Sequence, residues 1–180
     1  MSHEIETKVL DIDFKKILKK LSIIGAKRIE KERLIVDWYR LKGVKEGEDP
    51  WFLRIRSYSG KRYEVTWKAK SDKVGIVRKH KEINFNIKEH EKLADLFEEI
   101  GLEKYAHQEK DRTSFYLKGW RFDIDQYPGM PAFIEIEGKS EDHIKEAIKL
   151  LGLDKNMTWS KGERVLIQER YKLDWYNMKF

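Results

Sequence analysis

The feature that most constrains this chain is an alternation that recurs in stretch after stretch, with charge at every second position and apolar residues between. Near the start it runs Glu4, Glu6, Lys8, with Ile5, Thr7 and Val9 interleaved. A β-strand sends successive side chains to opposite faces, so each such stretch reads as a strand with one charged and one apolar face. Trp51–Tyr58 carries Arg54 and Arg56; the stretch from Arg62 carries Glu64, Thr66 and Lys68; Ile76–Ile87 carries Arg78, His80 and Glu82. Further on come Lys110 and Arg112, then Asp123 and Asp125, then Glu135 and Glu137. The opposite faces are apolar: Leu53, Ile55, Val65, Trp67, Ile83, Phe85, Phe122, Ile124, Ile134 and Ile136. Charges are costly to bury without partners, so the charged faces meet either water or something charged. If the apolar faces pack under helices, the charged faces line a shared interior. Solvated strands with cross-strand Glu–Lys pairs would give a similar pattern. Against that, most doublets carry acids alone or bases alone, over five or more strands.

The rest of the chain reads as follows. Phe14, Ile17, Leu18, Leu21 and Ile24 have helical spacing, with Asp11 or Asp13 as N-cap and Gly25 at the end. Residues 27–41 are strand-like, with Arg33, Ile35, Asp37 and Tyr39 on one face, and a polar loop, Lys42–Asp49, follows. Ser59-Gly60 joins two alternating runs into a hairpin. Leu93, Leu96, Phe97 and Ile100 mark a second helix closed by Gly101. Strands are expected at 104–117, 120–126 and 132–137, then a helix capped by Ser140 and ending near Gly152. Ser160 and Glu163 have the form of a capping box opening a last helix to Tyr171. Glu6 and Glu82, like Gly25 and Gly101, lie 76 positions apart, which suggests a duplicated βαββ unit. About eight mainly antiparallel strands with few helices predict an α+β protein built on a large sheet or a barrel. The 180 residues fit one domain.

Composition narrows the chemistry. With no cysteine, disulfides, thiolate metal sites and cysteine nucleophiles are excluded. No leader or apolar spanning run is visible, so a soluble cytoplasmic protein is expected. The net charge of +6 suits nucleic acid or a polyphosphate. Carboxylates without sulfur suit a hard divalent ion such as Mg²⁺ or Mn²⁺, and convergent Arg and Lys suit phosphate oxygens. His80 and His107 lie in no metal-ligand spacing, the six tryptophans read as core residues, and no P-loop, GxGxxG or GxSxG motif occurs.

Glu4-Ile5-Glu6-Thr7-Lys8 resembles the ExExK signature of the CYTH superfamily, the triphosphate tunnel metalloenzymes. Asp37-Trp38-Tyr39, Leu53-Arg54-Ile55-Arg56, Thr66-Trp67-Lys68, Lys110-Asp111-Arg112 and Asp125 followed by Glu135-Ile136-Glu137 resemble the family's later motifs in order. The resemblance implies a closed eight-stranded antiparallel β-barrel, a tunnel with helices outside. It implies that Glu4, Glu6, Asp125, Glu135 and Glu137 hold one or two Mg²⁺ or Mn²⁺ ions, with Asp123 substituting or assisting. Arg54, Arg56, Lys68, Lys110 and Arg112 would bind a triphosphate, with Lys8 beside the reacting phosphate. Where the family often has R-x-E, this chain has His80-Lys81-Glu82 with Arg78 before it, which leaves open whether Arg78 or His80 contacts substrate. The implied function is metal-dependent hydrolysis of inorganic, thiamine or nucleoside triphosphate, with Glu4, Glu6 and Lys8 at the reaction centre. The alternatives are a class IV adenylyl cyclase and a non-catalytic module binding polyphosphate or RNA ends. The expected partner is a small triphosphate, with no membrane, no general nucleic-acid role, and a homodimer compatible with the sequence. Residues 160–171 would cap the tunnel.

Overall fold

In the computed structural model the alternation closes on itself. The residues described are 2–45, 47–70 and 72–180, with backbone alone at 2–3 and 72–74; Glu46, in the expected polar loop, lies outside them. Eight antiparallel strands form the ring: β1 (Ser2–Val9), β2 (Lys27–Leu41), β3 (Trp51–Tyr58), β4 (Arg62–Ala69), β6 (Val77–Ile87), β7 (Leu102–Leu117), β8 (Trp120–Gln126) and β9 (Phe133–Glu137). Their order is β1-β9-β8-β7-β2-β3-β4-β6, and pairing of β6 with β1 completes it. Three short strands were not anticipated: β5 (Asp72–Val74), β10 (Thr158–Trp159) and β11 (Asn177–Met178). An eight-stranded barrel is just wide enough for side chains to fill or for one small ligand.

The apolar outer faces are covered by helices. Helix α1 (Phe14–Ile23) starts at Asp13, whose carboxylate accepts from the Lys16 N–H at 3.0 Å, so Asp13 and not Asp11 is the cap. It buries Ile17 and Leu21 with α3 (Glu141–Leu151) over Phe122, Ile124, Ile134 and Ile136. Helix α2 (His90–Glu99) places Phe97 over Tyr39, Leu53, Ile55 and Val65. Ile83 and Phe85 depart from the expectation: on β6 they remain 42% and 52% exposed.

A third apolar cluster lies inside the ring. Leu10, Leu34, Val36, Trp38, Ala106, Tyr127 and Phe133 meet Leu166, Ile167, Trp175 and Met178 of the C-terminal segment. That segment is not the helix the capping box suggests. It is a short turn, α4 (Glu163–Val165), running into a π-helical turn, Leu166–Arg170, with Gly162 at the cap and no side-chain capping bond. The Glu163 carboxylate turns inward instead and accepts from Lys110 Nζ at 2.9 Å and from the Tyr127 hydroxyl at 2.5 Å.

Candidate active site in the tunnel

The inner wall is charged because β-register puts the charged faces together. Glu6 stands opposite Arg78 in the β1–β6 ladder and opposite Glu137 in the β1–β9 ladder, and Glu4 faces His80. Asp123 pairs across with Glu135, and Arg121 with Glu137. Apart from His80, these side chains border a cavity of about 310 Å³, within the range of small-molecule sites. Its wall includes Glu4, Glu6, Arg54, Arg56, Lys68, Arg78, Arg112, Asp123, Glu135 and Glu137.

Ten of the thirteen residues assigned a metal, substrate or catalytic role from the sequence thus reach one cavity. Three do not. Lys8 is 1% exposed and lies behind the wall, 2.6 Å from Glu135 and 3.8 Å from Glu6. Lys110 and Asp125 are 2% and 0% exposed and bond each other at 2.7 Å. The Asp125 carboxylate also receives Arg112 through two nitrogens at 2.6 Å. All its oxygens are therefore taken by cations, and Asp123 replaces it at the cavity surface. Between Arg78 and His80, Arg78 borders the cavity, donating to Glu6 at 2.5 Å. His80 lies deeper, with Nε2 2.8 Å from Glu4 and 3.2 Å from Lys68 Nζ.

Two features stand out chemically. The first is an excess of negative charge on one side. Glu137 has no ion pair within 4 Å among the described residues, and burial together with the Glu4 and Glu6 carboxylates pushes its carboxyl up to about 7. Ligand atoms of Glu4, Glu6 and His80 lie within 4.8 Å of one another. Lys68 and Arg78 neutralise the two carboxylates here, and the set of two carboxylates and an imidazole could hold a divalent cation. The second is an excess of positive charge opposite. Arg54 is 9% exposed, yet among the described residues no carboxylate pairs with it, and its Nε has no acceptor. The Trp38 ring lies 5.3 Å from its guanidinium carbon. Lys68 stays charged at any ordinary pH: burial alone would lower its pKa, but Glu4, Glu6 and Glu82 outweigh it and raise it.

Sequence reasoning missed several wall residues. Arg121 and Tyr58 border the cavity, and the Tyr58 hydroxyl bridges Arg56 at 3.0 Å and Glu64, an inward charge already read from the sequence, at 3.1 Å. Each shares the inward parity of a residue that was chosen, which was the available signal. Trp38, Phe52, Tyr105, Arg164 and Trp175 also border it. Trp175 lies far from any inward-facing strand in sequence, and nothing in the pattern marks it.

Fold and site together define a tunnel-type β-barrel with a ligand cavity walled by opposed acids and bases. The chain belongs to the CYTH domain family, whose model matches residues 2–158. A putative adenylate cyclase of Methanocaldococcus jannaschii is 32% identical over 151 residues, covering 82% of this chain and 83% of that protein. Among solved structures, a conserved hypothetical protein from Pyrococcus furiosus has a TM-score of 0.71 at 26% identity, covering 84% of this chain and 92% of that one. A Hippeastrum protein, described as a putative adenylyl cyclase that reveals a dominant triphosphatase activity, shares the fold with a TM-score of 0.68 at 14% identity over 97% and 98%. Among the described residues no helix is long and apolar enough to cross a membrane.

Proposed function

We propose that the tunnel performs divalent-metal-dependent hydrolysis of a triphosphate. The observation that carries this is Arg54, a guanidinium buried at the cavity with no carboxylate paired to it among the described residues. A buried cation of this kind is held for an anion that arrives from outside. Arg56, Lys68, Arg78 and Arg112 border the same space and add further cations for a polyanion. Glu4, Glu6 and Glu137, with Asp123 and Glu135 beside them, would hold Mg²⁺ or Mn²⁺. When bound, the ion supplies charge neutralisation at the phosphates and lowers the pKa of a water nucleophile.

The remaining work belongs to the chain. Arg54, Arg56 and Arg112 bind phosphate oxygens and stabilise charge on the transferring phosphoryl group. Lys68 moves from its Glu4–Glu82 pairing onto the substrate, which frees those carboxylates. Lys8, fixed against Glu135 and Glu6, is a positioning residue that keeps the acids in place. The closed wall keeps bulk water from the phosphates, which strengthens each of these interactions.

The test is product analysis with inorganic triphosphate, thiamine triphosphate and ATP in Mg²⁺ and Mn²⁺. Phosphate release is expected, and Glu4→Gln and Glu137→Gln should each lower it at least about 100-fold with unfolding temperature retained. Full activity in both variants would remove the metal assignment. The M. jannaschii relative's name favours a second reading, adenylyl cyclisation, in which the ribose 3′-hydroxyl replaces water. Cyclic AMP as the main product would select it. Tight triphosphate binding without any turnover would leave a binding module.

A further inference from the structure

The Lys68 ammonium holds a place that suits a metal ion. It lies 2.9 Å from Glu4 Oε2 and 3.2 Å from His80 Nε2, with the Glu82 carboxylate as a third neighbour. We propose that His80 Nε2 is a nitrogen ligand of the ion held by Glu4 and Glu6, engaged once Lys68 moves onto the phosphates. The nitrogen favours first-row transition ions over Mg²⁺, with Co²⁺ above Mn²⁺. The inference rests on the metal-dependent reading above and narrows the identity of the metal.

The placement comes from the sheet. Glu4 and His80 are direct cross-strand partners in the β1–β6 ladder, and Glu6 follows two residues along on the same inward face. His80 Nε2 stands 2.8 Å from Glu4 Oε2, and one ligand atom from each of Glu4, Glu6 and His80 lies within 4.8 Å of the others. Adjacent ligands on an octahedral ion with bonds of about 2.1 Å stand about 3 Å apart. His80 and Glu4 therefore suit neighbouring positions on one ion with neither strand displaced. The ring is 4% exposed, so packing fixes it in advance, as a ligand needs.

These atoms already surround a cation. Glu4 and Glu82 draw the Lys68 ammonium in, and when it departs two carboxylates and an imidazole face the same point. A divalent ion restores the balance of charge there. Lys68 itself borders the cavity, so an ion that enters with the phosphates meets this point as Lys68 leaves it. The donor set then decides between metals. Mg²⁺ takes oxygen ligands and keeps several of its waters, whereas imidazole suits transition ions.

The experiment adds Mn²⁺ and a methylene-bridged triphosphate, which resists hydrolysis and contains no nitrogen, to an excess of the intact chain and of His80→Gln. Pulsed electron spin-echo spectra are recorded, in which a coordinated imidazole modulates the echo through its nitrogen. Nitrogen modulation is expected in the intact chain and its absence in His80→Gln. In the same samples Mg²⁺ should displace Mn²⁺ from His80→Gln at a concentration about tenfold lower than from the intact chain. An oxygen-only spectrum of the intact chain, a nitrogen signal that survives His80→Gln, or an equal Mg²⁺ requirement in both proteins overturns the nitrogen ligand while the metal-dependent reading stands. Failure of Mn²⁺ to bind at all overturns both. The spectrum of the intact chain decides the ligation by itself, whether or not the variant folds.

Discussion

A guanidinium that is nine-tenths buried and unpaired, as Arg54 is, costs the empty protein several kcal/mol of desolvation. Arg54→Met should therefore raise stability by about 1 kcal/mol or more, roughly 2–4 °C in Tm, while triphosphate affinity falls at least about tenfold. Calorimetry and a binding titration on the same variant check the opposed signs. Glu137 is the acidic counterpart. Its carboxyl is raised from 4.5 to about 7, so between those values the folded protein holds a proton that the unfolded chain has lost. Its contribution to stability is present below pH 4.5 and disappears as pH rises through 7. In chelator, Tm should fall across that window, and Glu137→Gln should flatten the fall. A profile identical in both proteins would place the titration elsewhere. Both residues were legible as inward charges because parity along a strand is a local property. Which charge meets which was not, as Asp125 illustrates: its capture by Lys110 and Arg112 depends on register between strands, which no single strand carries.

At the scale of the element, the C-terminal turn shows local and tertiary preferences in conflict. Ser160 and Glu163 have capping-box spacing, worth about 1 kcal/mol at a helix start. Glu163 instead binds Lys110 and Tyr127 inside the ring. Burial would raise its pKa, yet Lys110 and Lys8 hold it well below the usual carboxylate range. Breaking such a buried pair leaves Lys110 with less compensation, at about 3 kcal/mol or more, so the tertiary contact wins. Glu163→Ala should lower stability by that amount in urea unfolding and speed amide exchange in 162–178 ahead of the barrel strands. Exchange rising uniformly would mean the segment does not open on its own. The barrel strands were readable almost to the residue because their alternation and their tertiary role agree. Trp175 was not: Tyr171, Leu173 and Trp175 alternate as a strand would, yet they form no strand there, and their place is set by packing into the ring.

On the scale of the whole molecule, the 76-residue offset proves to be a symmetry of the ladders. Ser2↔Glu82 and Glu6↔Arg78 are both pairs of β1 with β6, and adding 76 to one partner of each exchanges them. Lys31↔Thr113 and Asp37↔His107 in the β2–β7 ladder behave the same way. The two halves are thus related by an approximate twofold axis, while their charges differ: β3 brings Arg54 and Arg56 where β8 brings Asp123 and Asp125. A symmetric frame with an asymmetric lining gives the tunnel one acidic and one basic side. Ladders between distant segments also make folding slow. Refolding is expected in milliseconds to seconds, and a microsecond phase accounting for the full signal in stopped flow or temperature jump would contradict the closed ring. There is a consequence for the growing chain. The strand Ser2–Val9 leaves the ribosome well before its partners, which lie at 77–87 and 133–137. At ordinary synthesis rates it waits on the order of ten seconds with both edges bare. An apolar strand left so long would recruit its neighbours on other ribosomes. Charges at Glu4, Glu6 and Lys8 oppose that, so the strand that carries two of the finished cavity's acids is also the one best protected while its partners are still to be made.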